Sequence, residues 1–111
     1  DALAAYDKLG GAWFEKGNIY YLRKDWKAAR YHYKQCLEKA EGYMGRAAFA
    51  LAQTEAQTNN KTAMLNYLNM AAGAGYFQPL EQHNAFLNDR TFAKYRNDAD
   101  FKAFVDSIRK K

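Results

Sequence analysis

Hydrophobic and polar residues follow one another along most of this chain with the spacing of amphipathic helices. Between residues 12 and 23 the large apolar side chains recur at intervals typical of a helix. The rest of the chain continues this pattern in segments separated by short polar or glycine-rich breaks. The predicted helices span residues 12–23, 26–40, 43–57, 61–72, 79–87, 90–95 and 99–109.

The breaks carry residues that start or stop helices. Gly10–Gly11 is predicted to end a short N-terminal piece, because glycine is a poor helix former. Asp25 is a suitable N-cap for the second long helix. Residues 58–60 read Thr-Asn-Asn, which is typical of a turn, and residues 73–75 read Gly-Ala-Gly, which stops a helix. Pro79 suits the first turn of the helix that follows.

The residue content agrees with an all-α chain. The β-branched apolar residues that strands favour are limited to one valine and two isoleucines among 111 residues. Hydrophobic residues make up 49% of the chain, which is enough for a core, and the length suits one domain. We therefore expect a single all-α domain over residues 1–111.

A repeat becomes visible when the chain is compared with itself at a shift of 34 residues. Several positions that would pack between helices then carry similar residues. The matched pairs are Ala29 with Ala63, Tyr33 with Tyr67, Cys36 with Met70, Tyr43 with Phe77, Trp13 with Ala47 and Gly17 with Leu51. This shift divides the domain into a first repeat (10–42), a second, degenerate repeat (43–76) and a tail (77–111).

The first repeat resembles a known family. It reads Trp13-x2-Lys16-Gly17-x2-Tyr20, then Ala29-x3-Tyr33, then Cys36. This set is similar to the signature of the tetratricopeptide repeat (TPR), a helix pair of about 34 residues. The chain departs from the signature at Lys16, where the family prefers Leu, and in the second repeat, which lacks the Trp and the Gly. The resemblance implies a short solenoid of two helical hairpins followed by C-terminal capping helices.

The tail resembles a segment that often closes bacterial TPR-containing chains. The resemblance rests on Gly75-Tyr76, Leu87-Asn88-Asp89, Phe92, Tyr95-Arg96-Asn97-Asp98, Phe101 and Phe104. A solenoid end exposes an apolar face that a terminal unit has to cover. The expected cover consists of Phe92, Tyr95, Phe101, Phe104, Val105 and Ile108. We also expect Asp89 and Asp98 to cap helices, and the source to be bacterial.

The TPR resemblance implies a binding surface as well. In that family the first helix of each pair lines a concave groove. The corresponding residues are Phe14, Asn18, Tyr21 and Leu22 in the first repeat, and Ala48, Ala52, Glu55 and Ala56 in the second. This lining is mainly apolar, so we expect a non-catalytic module that binds an apolar or amphipathic peptide or partner segment. The TPR subset that clamps a C-terminal carboxylate is disfavoured, because only Asn18 matches it.

Two other functions fit the same pattern. Stacked repeats are open at their ends, so the chain is also a candidate structural protein that assembles end to end with copies of itself. It equally fits an accessory domain of a larger bacterial enzyme or secretion component. A nucleic-acid partner is not expected, because the net charge of +5 is spread along the chain instead of forming one dense basic stripe.

Catalytic and metal-binding chemistry is weakly represented in the sequence. His32 and Cys36 are four residues apart on one predicted helix, but no further cysteine exists to complete a metal site. Helix capping and first-turn charge explain Asp98 and Asp100 better than acid–base catalysis does. The sequence has neither a glycine-rich phosphate loop nor a nucleophile elbow. We therefore expect no enzyme activity, no cofactor and no metal.

Three features bear on modification and location. Asn60-Lys61-Thr62 is an N-glycosylation sequon in a predicted turn, which makes a glycan at Asn60 a candidate modification. No stretch reaches the roughly 20 apolar residues of a membrane-spanning helix, so membrane insertion is not expected. An exported location is favoured if Asp1 is a mature N-terminus, and a cytoplasmic location otherwise.

Overall fold

The computed structural model describes residues 2–109, with side chains over residues 11–40 and 42–109. This part of the chain forms six α-helices and two short 3-10 helices without a strand, which confirms the all-α prediction. The α-helices are α1 (Ala2–Leu22), α2 (Trp26–Lys39), α3 (Met44–Gln57), α4 (Lys61–Gly73), α5 (Leu80–Leu87) and α6 (Ala99–Arg109). The 3-10 helices are Glu41–Tyr43 and Arg90–Tyr95. None of the described helices is both long and apolar enough to cross a membrane.

Side-chain caps fix where several of the helices begin. Oδ1 of Asp25 accepts a hydrogen bond from the backbone nitrogen of Ala28 at 3.2 Å, as predicted for the start of α2. Asp89 and Asp98 accept comparable bonds from backbone nitrogens at 2.9 and 3.0 Å, at the starts of the second 3-10 helix and of α6. Each cap satisfies a backbone N–H that the first helical turn leaves without a partner.

The first helix is longer than its sequence pattern predicted. It begins at Ala2 and runs through Gly10–Gly11, so the prediction that these glycines end an N-terminal piece is wrong. A glycine costs a helix about 1 kcal/mol relative to alanine, and packing can override a preference of that size. Gly11 takes part in such packing, because a Cβ there would lie 3.3 Å from the hydroxyl oxygen of Tyr43.

The long helices form two consecutive pairs with matching connections. α1 packs on α2 and α3 packs on α4, while α2 packs on α3 and so joins the pairs. In the two connections, Lys24 and Asn59 both have a φ of 61°. The residues that follow them, Asp25 and Asn60, both cap the next helix. The equivalent residues of the two pairs are therefore 35 positions apart.

Burial gives the same shift of 35 residues. The buried residues of α2 are Ala29, Tyr33 and Cys36, and those of α4 are Met64, Leu68 and Ala71. The predicted shift of 34 is thus wrong by one residue, since it would match Cys36 with Met70, whose exposed fraction is 41%. A slip of one residue turns a helix by about 100° and exchanges core positions for surface positions.

The tail closes the C-terminal end of the helix pairs with a cluster of phenylalanines. The ring centre of Phe86 lies 5.3 Å from that of Phe92 and 5.7 Å from that of Phe101. The predicted cover is confirmed, with Phe92, Phe101, Phe104 and Ile108 buried and Tyr95 and Val105 half-buried. Since α3 contributes Phe49 to the same cluster, the second helix pair and the tail share one core.

Candidate functional site

A surface cavity of about 400 Å³ lies between α1, α3 and the segment that follows α4. We call it the groove. It is lined by Phe14, Asn18, Arg46, Phe49, Ala50, Gln53, Tyr76 and Gln82. Two of the residues predicted to line a binding groove, Phe14 and Asn18, are in this set. The groove therefore lies on the side of α1 that the TPR resemblance implied.

The two helix pairs supply the same kinds of residue to the groove. At the shift of 35 residues, Phe14 corresponds to Phe49 and Asn18 corresponds to Gln53. Each pair thus contributes one phenylalanine and, one turn further along the helix, one amide. The ring of Phe49 is stacked on that of Tyr76, with 4.7 Å between the ring centres. This stack fixes the aromatic wall on the α3 side.

The amide of Asn18 is held by a buried tyrosine. Its Oδ1 accepts a hydrogen bond from the hydroxyl of Tyr33 at 2.5 Å. Burial raises the pKa of the Tyr33 hydroxyl well above its usual value, so the hydroxyl keeps the proton it donates. No described group accepts a hydrogen bond from Nδ2 of Asn18. The amide is therefore oriented with a hydrogen-bond donor available to a ligand.

The amide of Gln53 is held in the opposite sense. Its Nε2 donates to Oδ2 of Asp89 at 2.9 Å, while Oδ1 of Asp89 accepts from the backbone nitrogen of Thr91. No described donor bonds to Oε1 of Gln53. Of the two amides, Asn18 thus offers a donor to the groove and Gln53 offers an acceptor.

The other predicted residues of α1 lie beyond the groove. Tyr21 packs edge-on against the ring of Trp26 and accepts a hydrogen bond from Nε2 of Gln57 at 3.2 Å. This bond joins α1 to α3 one turn past Asn18 and Gln53. Leu22, at the end of α1, has an exposed fraction of 82% and does not line the cavity.

The residues of α3 that were predicted to line the groove were selected with the incorrect repeat shift of 34 residues. Ala48, Ala52, Glu55 and Ala56 are all buried and present no surface to a ligand, so their assignment to the groove is corrected. The shift of 34 selected them, whereas the shift of 35 selects Phe49 and Gln53. The N-caps Asp25 and Asn60 are 35 residues apart in the sequence and so indicated the correct shift. Nothing in the repeat indicated the contributions of Tyr76 and Gln82.

Glu55 has a structural position instead. Its carboxylate is almost fully buried and accepts a hydrogen bond from Nε of Arg30 at 2.5 Å. It also accepts from Nδ2 of Asn60 at 3.0 Å. Because Arg30 belongs to α2 and Asn60 precedes α4, this carboxylate ties three helices together.

The glycosylation candidate Asn60 is exposed, but both ends of its amide are engaged. Oδ1 caps α4 through the backbone nitrogen of Ala63, and Nδ2 donates to Glu55. A glycan would have to be attached to this same nitrogen. The fold therefore opposes modification once the chain is folded, and glycosylation of Asn60 stays a prediction.

The remaining candidates for chemistry are packed or paired. Burial raises the pKa of the Cys36 thiol to about 11, and His32 is stacked on Tyr20 with 5.1 Å between the ring centres. Asp98 and Asp100 share the ammonium group of Lys61, at 2.7 and 2.9 Å. The hydrogen bond from Lys61, with that from the backbone of residue 101, lowers the pKa of Asp98.

Metal-ligating side chains do not gather in the described part of the chain, where no three His, Cys, Asp or Glu residues come close enough to hold an ion. The strongest arrangement that remains is the groove with its two oriented amides. Comparison with known proteins adds no assignment. The chain matches no family model, and no curated protein and no solved structure is significantly similar to it.

Proposed function

We propose that this chain is a TPR-type interaction module without catalytic activity, and that its groove binds an extended segment of a partner protein. The observation that carries the proposal is the pair of oriented amides. Asn18 presents a donor and Gln53 an acceptor, one from each helix pair. A peptide backbone carries the complementary C=O and N–H groups.

The geometry of the first helix pair supports the family assignment. A TPR hairpin requires small residues where its two helices approach most closely. Gly17 lies directly against the ring of Tyr33, and Ala29 and Cys36 are fully buried on the facing helix. The spacing of 35 residues between the pairs is close to the TPR length of about 34.

An extended ligand fits the groove better than a helical one. The backbone groups of a helix are bonded to one another, so a helix has no free N–H and C=O to offer along its length. An extended peptide exposes both, and it directs alternate side chains to one face. The half-buried Phe14 provides apolar surface on which such a side chain can pack, and the largely buried Phe49 lines the groove beside it.

The charge of the groove restricts the partner further. Arg46 is the only charged residue among those that line it, and the carboxylate of the neighbouring Asp89 is engaged by Gln53. A neutral or acidic segment is therefore favoured over a basic one. The expected segment is therefore apolar or amphipathic and carries no net positive charge.

End-to-end self-assembly gains no support from the tail. A further copy would have to stack on the outer side of α4, and α6 packs there together with the phenylalanine cluster. An accessory role in a larger bacterial assembly is compatible with the groove, because the groove would then hold a segment of that assembly.

The proposal is tested with a peptide selected from a displayed library of random sequences and titrated into the folded chain. Asn18→Asp keeps an oxygen for the Tyr33 hydroxyl and replaces the free donor by an acceptor. We expect this variant to bind the selected peptide about tenfold more weakly, since it loses one hydrogen bond and leaves a backbone C=O unpaired. Phe14→Ala should also weaken binding.

The matched control is Asn66→Asp, which makes the same chemical change at an exposed position of α4. It should leave the affinity unchanged. If Asn18→Asp and Phe14→Ala both bind as the wild type does while they remain folded, the groove is not the binding site.

A further inference from the structure

The outer side of the first helix pair carries an aromatic cluster apart from the groove. We call it the N-terminal edge. The ring of Trp13 lies 6.3 Å from that of Tyr31 and 5.7 Å from that of His32, and Tyr20 is stacked on His32. These contacts join α1 to α2 through residues that do not line the groove. The N-terminal edge is therefore a second surface.

The internal repeat shows what the equivalent surface does in the second helix pair. At the shift of 35 residues, Trp13, Lys16 and Tyr20 correspond to Ala48, Leu51 and Glu55. These three residues of α3 are buried. Leu51 lies in one cluster with residues of α2, and Glu55 is paired with Arg30 of α2. In α3, then, these positions receive the preceding helix.

In α1 the same positions are left without a described helix to cover them. Lys16 stands where α3 has the fully buried Leu51, and it is exposed. Tyr31, on the α2 side of the N-terminal edge, has an exposed fraction of 55%. The equivalent surface of α3 is covered by α2, whereas the N-terminal edge is open to a helix from outside the described chain.

The N-terminal edge carries positive charge. Nζ of Lys16 lies 5.7 Å from the ring centre of Trp13, and Nζ of Lys39 lies 5.3 Å from it. Arg23 lies over Tyr20 in the same way, at 5.9 Å. No described carboxylate forms an ion pair with any of these three cations. Carboxylates on an incoming protein surface would form ion pairs with these cations.

Two buried polar atoms at the N-terminal edge also lack a partner in the described structure. They are Nε1 of Trp13 and Nδ1 of His32. Buried polar groups are nearly always hydrogen-bonded, and the indole N–H can only donate. Because Nε1 of Trp13 is already buried, an incoming carboxylate pairs with the exposed cations and not with the indole.

We propose that the N-terminal edge docks an acidic amphipathic helix of a partner protein. Its apolar stripe covers Trp13 and Tyr20, and its carboxylates pair with Lys16 and Lys39. The α2–α3 contact is the internal precedent, because it also combines apolar packing with an ion pair between helices. A second copy docking edge to edge is opposed by the repulsion of identical cations. This site is independent of the groove.

The probe for the test is a displayed library of helical peptides with a fixed leucine stripe and Glu, Lys or Ala at the other positions. Selection is done on the full chain, and the best clone is then titrated in a Trp26→Phe background, so that the fluorescence reports on Trp13. We expect glutamate to be enriched. Lys16→Glu/Lys39→Glu should lower the affinity of that clone at least about tenfold.

Two controls locate the binding. Lys27→Glu/Lys34→Glu makes the same charge change at exposed positions of α2 that have no ring contact at the N-terminal edge, and it should lower the affinity much less. Asn18→Asp, which alters the groove, should leave the affinity for the acidic helix unchanged. The two proposals can therefore fail separately.

Several outcomes would overturn the proposal. They are that no helical peptide is selected, or that the selected clones are enriched in lysine and not in glutamate. Two more are that the two double variants lose equal affinity for the selected clone, or that Asn18→Asp no longer binds it. Self-association of the chain alone that shields Trp13 would overturn it too, because the occupant would then be a second copy.

Discussion

Gly17 is in direct contact with the ring of Tyr33, so that a Cβ added at Gly17 would lie 2.5 Å from two carbons of that ring. The same ring donates through its hydroxyl to Asn18 in the groove. In the second helix pair the equivalent residues are Ala52 and Leu68, both fully buried. There the Cβ is present and the aromatic ring is not. The two helix pairs thus fill the equivalent space between their helices with different residues.

Gly17→Ala is expected to destabilise the protein although alanine is the better helix former. The ring of Tyr33 has to move, and overpacking of this kind costs about 1–3 kcal/mol. The gain in helix propensity offsets at most about 1 kcal/mol of that cost. Urea unfolding followed by circular dichroism measures the net loss.

Two further variants make the Gly17 experiment decisive. Gly73→Ala, where the added Cβ would lie more than 4 Å from every side chain and helix outside its own local backbone, should leave stability unchanged or raise it slightly. Gly17→Ala/Tyr33→Leu copies the residues of the second pair and should be more stable than Gly17→Ala alone. A fully stable Gly17→Ala variant would contradict the close contact.

Glu55→Gln is expected to lower the free energy of unfolding by about 2 kcal/mol, because Arg30 and Asn60 lose a charged acceptor that is almost completely buried. The measurement is again urea unfolding at neutral pH. Glu38→Gln, at an exposed position of α2, is the control and should change stability by less than about 0.5 kcal/mol. Equal changes in the free energy of unfolding for Glu55→Gln and Glu38→Gln would show that the buried carboxylate of Glu55 does not stabilise the fold.

Apart from the start of α1, the helix ends could be predicted from the sequence to within about two residues, because their causes are local. Asp25 caps α2 through a residue three positions away, and the predicted end of α3 and start of α4 follow from turn residues alone. The groove could not be placed so well, since it depends on the register between helices. Identical residue types at Tyr33 and Tyr67 favoured a shift that the packing does not use.

Other errors also arose where tertiary contacts outweigh local preference. The glycines at 10 and 11 remain helical, and the hydroxyl of Tyr43 occupies the space that Gly11 leaves open. Tyr76 reaches the groove from the segment between α4 and α5, and Gln82 reaches it from α5, where no repeat pattern relates them to α1. Their positions follow only from how the tail folds back on α3.

Stability is expected to depend on pH through His32. Burial, and secondly the charge of Lys16, lower the pKa of this ring below its ordinary value of 6.5. The folded protein therefore binds fewer protons here than the unfolded chain does. It follows that the contribution of His32 is complete above about pH 6.5 and is lost as the pH falls through the lower, folded-state pKa.

His32→Phe tests this dependence, because phenylalanine keeps a ring against Tyr20 and cannot be protonated. Urea unfolding between about pH 5 and pH 7 should show a smaller loss of stability at the acidic end for the variant than for the wild type. Parallel curves for the two proteins would mean that protonation of His32 is not linked to folding.

Exchange between amide and carboxylate is expected to change stability much less at the N-cap Asp25 than at the equivalent N-cap Asn60. Asp25→Asn should change stability by less than about 0.5 kcal/mol, because either side chain accepts the bond from Ala28. Asn60→Asp also keeps the cap on α4, but it replaces the donor that faces Glu55 at 3.0 Å by a second carboxylate oxygen. We expect it to cost at least about 2 kcal/mol at neutral pH.

Part of the loss in Asn60→Asp should be recovered on acidification, because two adjacent carboxyl groups hold a shared proton more readily than one does alone. Urea unfolding of both variants at neutral and acidic pH measures this difference. If Asn60→Asp proves as harmless as Asp25→Asn, the buried network around Glu55 does not distinguish the second helix pair from the first, and the amide of Asn60 is free to carry a glycan.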